Sequence, residues 1–419
     1  MKTPRVIVIG GGAAGMIAAG RAAECGASVV LLEKGSKLAR KVRISGKGRA
    51  NITNTADLNE FIEAFSPNGR FLYGAFSRYF RDDLLDFLHK MGVETKEERG
   101  GRVFPVSDSA SDVVEAFEKW ISELGVRIKY NATAKSIDVE DGHVTGVKLY
   151  GGRMDADAVI IATGGASYPK TGSTGDGYHM SRDLGHTIIT PRPALSALIT
   201  KEDWIKDLQG LSLRNVEAAL LMEIKGQDQP KKIASEFGEM LFTGNGVSGP
   251  IILTLSRHVA SLLGKGRLII SIDLKPALSS EQLHQRLIRD FKQTRHLKNY
   301  LHELLPRLLV DVFVYISGLD GDKPVNSITA QERARIVDLL KDLRTEVVRM
   351  GPLDEAIVTS GGVCIKEIDP KTMMSKLVSG LFFAGEVMDI DAQTGGYNLQ
   401  AAFSTGYVAG ESAADYVGM

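Results

Sequence analysis

Gly10, Gly12 and Gly15 stand in the spacing Gly-x-Gly-x-x-Gly immediately after the apolar run Val6-Ile7-Val8-Ile9, and Glu33 follows 18 positions beyond Gly15. These residue types at these spacings suit one kind of chemistry, the holding of a dinucleotide. Gly10 permits a tight turn out of a strand, Gly12 lets backbone N–H groups approach a pyrophosphate, and Gly15 lets the next helix pack closely with its positive end toward the anion. A carboxylate at Glu33, closing a second strand over 28–32, accepts hydrogen bonds from ribose hydroxyls and would repel a 2′-phosphate. The pattern fits the adenosine half of FAD or NAD better than that of NADP. A secretory leader is the competing reading of the N-terminal apolar run; it fails because four glycines interrupt the run and the Glu33 spacing would have no reason.

Further clusters able to meet such a ligand recur along the chain. Lys34 and Lys41 lead into Ile44-Ser45-Gly46-Lys47-Gly48-Arg49-Ala50-Asn51-Ile52-Thr53-Asn54, a cationic loop whose N–H donors suit a phosphate or the edge of a flavin ring. The run Ala158-Val159-Ile160-Ile161-Ala162 reads as a buried parallel strand that ends in Thr163-Gly164-Gly165 and a long polar loop over 166–177, with a helix from Tyr178 to Leu184. The carboxyl ends of such strands are where doubly wound sheets bind ligands. Leu381-Phe382-Phe383-Ala384 is a similar strand that ends in Gly385-Glu386, passes Asp389 and Asp391, and reaches Gly395-Gly396-Tyr397-Asn398-Leu399-Gln400 before a helix expected over 401–408. Tyr168, Lys170 and His186 are candidate proton-handling groups on these loops, His186 being equally suited to a structural place.

The elements that must position these residues are α/β in pattern. With 419 residues, two or three domains are expected, and 51 basic against 51 acidic residues argue against a broad nucleic-acid face. No apolar run approaches the roughly 20 residues of a membrane-spanning helix. The two cysteines, Cys25 and Cys364, lie far apart without a Cys-x-x-Cys, which excludes a redox dithiol. Both are expected to be buried, reduced thiols in a cytoplasmic protein. Helical spacing runs over 58–91, and a capped helix start is read at Ser111. Paired strands are read over 134–137 and 144–149. After Pro193 the texture changes to alternating segments over 216–224 and 268–274, suggesting an antiparallel sheet or barrel, with a second glycine-rich loop over 238–250. A helical block follows over 280–343, with starts at Ser279 and Thr329. Its Arg286, Arg289, Lys292, Arg295 and Lys298 read first as a solvated face rather than an RNA site.

Together these motifs resemble, over nearly the whole chain, the BaiN/RdsA-like (YhiN-type) FAD-dependent oxidoreductases, sometimes called aminoacetone oxidases. The match runs through the glycine turn, residues 44–54, Gly101-Arg102-Val103-Phe104-Pro105, 162–169, 238–243, Ser248-Gly249-Pro250, Thr359-Ser360-Gly361-Gly362-Val363, Gly385-Glu386 and 395–400. It departs at Lys47 and Ala50, where that family's loop carries glycine and cysteine, so no role of that thiol applies here. The resemblance implies a Rossmann-like FAD-binding domain of glutathione-reductase type, formed by both chain ends (1–190 and 356–419). It also implies an inserted β-barrel-like subdomain (191–278 and 344–355) and a small helical subdomain (279–343). It places Gly10, Gly12, Ala13, Ala14 and Gly15 at the pyrophosphate and Glu33 at the ribose. From the cationic segment come Lys34, Lys41, Ser45, Gly46, Gly48, Arg49, Asn51 and Thr53, with Ala134, Thr163 and Gly164 on the adenosine side. Gly385, Glu386, Asp389, Gly396, Tyr397, Asn398, Leu399 and Gln400 surround the ribityl chain and ring. The implied activity is flavin-mediated hydride transfer to a small-molecule substrate. No second dinucleotide motif follows a strand, so an NAD(P)H reductant would visit transiently. A tRNA-modifying flavoenzyme and a non-catalytic flavin sensor are the alternatives; no metal site is expected.

Overall fold

The computed structural model describes residues 5–224, 226 and 229–418. Its central feature is a five-stranded parallel sheet of β1 (Val6–Ile9), β2 (Val29–Leu32), β3 (Arg127–Lys129), β4 (Ala158–Ile161) and β5 (Leu381–Phe383), in the spatial order β5-β4-β1-β2-β3. Every residue of β1, β2, β4 and β5 is buried, as strands covered on both faces require. Val6 pairs with both Ala158 and Val29, so β1 lies at the centre with its carboxyl end flanked by those of β4 and β2. The chain divides into two compact units, residues 1–193 with 353–419, and residues 194–352.

In the first unit, helix Ala13–Glu24 packs on the C-terminal helix Tyr397–Gly418 at backbone distance. A Cβ on Gly406 would lie 2.4 Å from the Ala14 carbonyl oxygen, and one on Gly410 would lie 2.3 Å from that of Ala18. The C-terminal helix is much longer than the stretch 401–408 read from sequence, and it begins at Tyr397, so Tyr397, Asn398, Leu399 and Gln400 form its first turn. Small antiparallel sheets flank the core: Thr53–Asn54 with Arg102–Pro105 and Thr95–Glu98, and Ala134–Glu140 with His143–Leu149 and Gly152–Asp155. The helical stretch read over 58–91 is four short pieces, Leu58–Ala64, Gly69–Leu72, Tyr73–Arg78 and Arg81–Lys90. The helix expected from Ser111 starts at Ala110, with Ser109 as its N-cap and no side-chain cap bond. The helix expected from Tyr178 is Asp176–Asp183.

The second unit is a closed six-stranded barrel in the order Leu198–Thr200, Gly246–Ser248, Lys231–Thr243, Ser212–Glu223, Arg267–Asp273 and Leu343–Met350. The glycine-rich stretch 238–250 is therefore not a loop. Leu241 pairs with both Ser212 and Ser248, so the stretch is two barrel strands joined at Gly244-Asn245. Among the described residues five α-helices, Pro250–Leu262, Ser280–Asp290, Leu297–Leu301, Arg307–Ser317 and Ala330–Lys341, complete the unit, and Ser279 and Thr329 each close a capping box.

Candidate functional site

At the end of β1 the chain turns at Gly10 with φ of +105°, and a Cβ there would sit 2.5 Å from the Ala162 carbonyl oxygen, so the turn is pressed against the end of β4. Gly15 lies under the turn: its Cβ would meet the Gly10 carbonyl oxygen at 1.8 Å. Gly12 differs, because a Cβ there would find no protein atom within 4 Å. Gly12 is also the N-cap of helix Ala13–Glu24, and no side chain caps that helix. An uncapped helix start above an open glycine is a cradle suited to a phosphate, where a methyl group would occupy the ligand's space. Beside it Glu33, 9% exposed, accepts from the Gly11 amide at 2.9 Å and the Gly35 amide at 2.6 Å. These two bonds fix the position of the carboxylate at the end of β2. Ala134, at the start of its strand, is buried.

A second group of the expected residues converges at the start of the C-terminal helix. The segment Arg40–Gly48 is helical before it breaks; Gly46, Lys47, Gly48 and Ala50 then all have φ between +56° and +85°. The stretch read as a loop is thus a helix end and a left-handed turn, in which Lys47 and Ala50 hold a conformation that suits glycine better. The turn carries Asn51 back to the Gly396 N–H and the Thr53 carbonyl, and with its amide oriented to satisfy both it accepts from the first at 3.0 Å and donates to the second at 3.2 Å. Asn54 Nδ2 donates to the Gly395 carbonyl at 2.9 Å. Tyr397 packs edge-on against Phe61 at 4.7 Å. Asn398 is spent on its own loop, accepting from the Ala392 amide at 2.8 Å and donating to its carbonyl at 3.0 Å. Thr53 Oγ1 and Gln400 Oε1 are buried and have no hydrogen-bond partner among the described residues. Leu399 is half-buried.

The cations of the site face protein acids and carbonyls. Lys41 Nζ bonds Glu386 Oε2 at 2.7 Å and Ser167 Oγ at 2.8 Å, while Glu386 Oε1 accepts from the Thr359 amide at 2.7 Å. Lys34 Nζ pairs with Asp176 at 2.7 Å and with the Thr174 hydroxyl. Arg49 binds Glu98 at 2.6 Å with its guanidinium 4.1 Å above the Phe104 ring, so its charge is engaged by acids. Ser45 bonds the Val42 carbonyl at 2.8 Å. Gly164 has its missing Cβ 3.1 Å from Ser173 Oγ, and a Cβ on Gly177 would strike the Thr163 hydroxyl at 2.2 Å. Gly385 donates to Thr405 Oγ1 at 3.0 Å. Asn68 holds Asp389 Oδ2 at 3.0 Å; burial, with the Asp391 charge, pushes this carboxyl above the usual aspartate range. Thr359, Ser167 and Asn54 bind the site together but were not singled out in the sequence. Thr359 lay inside the recognised Thr-Ser-Gly-Gly-Val motif, which was the signal available.

The remaining residues named from sequence make contacts within the protein, and the two cysteines depart from expectation. His186 is 3% exposed, bonds Ser375 Oγ at 2.9 Å, lies 3.3 Å from Glu367 and stacks edge-on against Phe383, so it is a packing residue. Lys170 offers its carbonyl to Arg40, and Tyr168 offers its own to the Thr171 hydroxyl. Cys25 is exposed and Cys364 partly so; neither is buried. Of the basic helical block, Arg286 and Arg289 pair with Asp290, Arg295 with Glu303 and Lys298 with Asp311. Among the described residues no group of three or more His, Cys, Asp or Glu could hold a metal ion, and no helix is long and apolar enough to cross a membrane.

Comparison with known proteins agrees with this architecture. Residues 4–412 match the family described as HI0933-like protein Rossmann domain. A 3-dehydro-bile acid delta(4,6)-reductase of Clostridium scindens is 30% identical over 98% of this chain and 99% of its own. Ribosomal RNA dihydrouridine synthases of Haemophilus influenzae and Escherichia coli are 31% and 30% identical, each over 96% of both chains. Among solved structures, a flavocytochrome c3 fumarate reductase in its open conformation superposes with a TM-score of 0.51 at 17% identity, over 99% of this chain and 78% of that one. A 3-ketosteroid-delta4-(5alpha)-dehydrogenase from Rhodococcus jostii superposes with 0.50 at 15% identity, over 98% and 97%. At those identities the likeness is one of fold.

Proposed function

We propose, for a chain that belongs to the HI0933-like Rossmann family of FAD-dependent oxidoreductases, that it reduces an activated carbon–carbon double bond in a small organic molecule, with NAD(P)H as a transiently bound reductant. The observation that carries the cofactor reading is the open Gly12 position at an uncapped helix start, beside a Glu33 carboxylate fixed by two amides. Bound FAD would supply two-electron hydride chemistry that no side chain here can perform. The glycine turn and the first amides of helix Ala13–Glu24 would hold its pyrophosphate, and Glu33 its adenosine ribose. Gly385, Glu386, Gly396, Tyr397 and the buried, unpartnered Thr53 and Gln400 oxygens would line its other end. There the start of helix Tyr397–Gly418 would favour negative charge on the reduced ring.

The reaction class is supported by the relatives' names: a delta(4,6)-reductase and a dihydrouridine synthase each denote saturation of a ring double bond. In the balanced reaction, NAD(P)H gives a hydride that ends on one carbon, an acidic group or water gives a proton to the other, and NAD(P)+ leaves. A second reading, reduction of a base in RNA, is favoured by the two ribosomal RNA dihydrouridine synthases. The ion pairing of the basic helical block counts toward the small molecule. The test is an anaerobic visible spectrum of the purified protein on addition of NADH or NADPH. Flavin bands that bleach, and recover on adding a conjugated cyclic enone, support the first reading; recovery only with RNA, and dihydrouridine in that RNA, supports the second. A protein that cannot be loaded with FAD overturns both.

A further inference from the structure

The loop that follows β4 is tied down by cations from the segment that follows β2. Three contacts do this: Lys34 Nζ to Asp176 Oδ2 at 2.7 Å, with Thr174 alongside; Arg40 Nη2 to the Lys170 carbonyl at 2.5 Å; and Lys41 Nζ to Ser167 Oγ at 2.8 Å. The sheet order β5-β4-β1-β2-β3 puts β1 between the anchors. A loop that leaves β4 and is fastened beside β2 spans two strand spacings, about 10 Å, across the carboxyl end of β1. That end carries the Gly10–Gly15 turn and the open Gly12 position. The loop bends at three left-handed positions, Tyr168, Gly172 and Gly175, with φ between +52° and +112°.

We propose that residues 167–176 form a strap across the pyrophosphate cradle, and that Lys34 and Arg40 are positioning residues which retain the cofactor through this strap rather than by touching it. This rests on the FAD reading above. Lys34 has a quarter of its side-chain surface exposed and Asp176 a third, so the tie is screened by salt and opens without unfolding. The cradle's own contacts, backbone amides and a buried carboxylate, are much less salt-sensitive.

The test is the rate at which FAD leaves the holoprotein, followed by the rise in free-flavin fluorescence after large dilution into FAD-free buffer, at roughly 20 mM and 500 mM NaCl. Wild type is expected to release FAD several-fold faster at high salt. Lys34→Met and Asp176→Asn are each expected to raise the low-salt rate about three- to fivefold and to flatten the salt dependence. The double variant should be no faster than either single one, and Lys34→Arg should restore the slow rate. Arg40→Gln is expected to speed tryptic cleavage after Lys170 in the native protein, a readout that does not involve the flavin. A release rate indifferent to salt and to Lys34→Met, or additive effects of Lys34→Met and Asp176→Asn, would overturn the strap while leaving the flavoprotein intact. A wild-type protein that takes up no FAD would instead overturn the functional reading, and the strap with it.

Discussion

Gly12 and Gly15 sit three residues apart in one motif, yet the structure gives an added methyl group opposite consequences at the two places. At Gly15 the new Cβ would start 1.8 Å from the Gly10 carbonyl oxygen, and real Cβ contacts do not fall below 3.0 Å, so turn and helix must separate by at least 1.2 Å. The obstacle is backbone, which cannot rotate away. Overpacking of this kind costs about 1–3 kcal/mol, and the gain of alanine over glycine in a helix returns at most about 1 kcal/mol. Gly15→Ala should therefore lower the stability of the apoprotein by about 1–2 kcal/mol in a urea melt. At Gly12 nothing lies within 4 Å and φ is −83°, a value any residue adopts. Gly12→Ala should cost the apoprotein no more than about 1 kcal/mol, the glycine-to-alanine difference at an N-cap, with no clash to add to it. Its methyl group would instead occupy space assigned to the pyrophosphate, at a cost of the same 1–3 kcal/mol, which is roughly a 5- to 150-fold loss of FAD affinity. Fluorescence titration of apoprotein with FAD reads that loss directly. A Gly12→Ala protein that melts normally and binds FAD as tightly as wild type would refute the placement of the pyrophosphate.

Other outcomes follow from the same packing. Burial lowers the pKa of His186, and Glu367 beside it, despite burial, is held below the usual carboxylate range by the Thr187 hydrogen bonds. The folded state thus disfavours protonation of both, so stability is full above about pH 6.5, falls as the pH drops below it and falls further below about 4.5; His186→Gln should flatten the upper part of that decline in melts between pH 5 and 7. Gly406→Ala, whose Cβ would meet the Ala14 carbonyl oxygen at 2.4 Å, should destabilise by about 1–2 kcal/mol and, by pushing helix Ala13–Glu24 away, weaken FAD binding as well. Lys47→Gly should be neutral or stabilising by up to about 1 kcal/mol in a thermal melt, since it removes a left-handed lysine at φ +61°, whereas Lys47→Val should destabilise.

The features legible in the sequence are those set by neighbours along the chain. Strand, turn and helix at 6–24 follow from an apolar run and three glycines, and the capping boxes at Ser279 and Thr329 from residues three apart. The features that were missed are fixed by distant partners. Glycines at 406 and 410 make the C-terminal stretch look like a poor helix, yet they are what lets it lie on the backbone of Ala14 and Ala18. The stretch 238–250 looks like a loop for the same reason, and only its pairing with Ser212–Glu223 and Leu198–Thr200 makes it strand. Lys34 and Lys41 read as free cations because their carboxylates, Asp176 and Glu386, are 142 and 345 positions away. Cys25 was expected inside from its residue type, but it is the C-cap residue where helix Ala13–Glu24 runs out to the surface.

The order of the strands also separates retention from chemistry. Glu33 closes β2, the glycine turn closes β1 and Gly385 follows β5, so these expected contacts advance along the sheet edge from β2 through β1 and past β4 to β5. That is three strand spacings, about 14 Å, from ribose carboxylate to the far strand. On the proposed reading, a dinucleotide extended along this edge would have its adenosine over β2 and its reactive ring toward β5 and the Gly395-Gly396 turn, which Asn51 and Asn54 hold. Substitutions at Lys34, Arg40 or Asp176 act near the inert end, so they should change how long the cofactor stays without changing the turnover of molecules that retain it. Substitutions at Asn51 or Asn54 loosen the ring end, so Asn51→Ala should shift the flavin spectrum and the rate of its reduction in protein still loaded with FAD. Finding the reverse, a spectral shift from Lys34→Met and none from Asn51→Ala, would mean that the dinucleotide lies along the edge in the opposite direction.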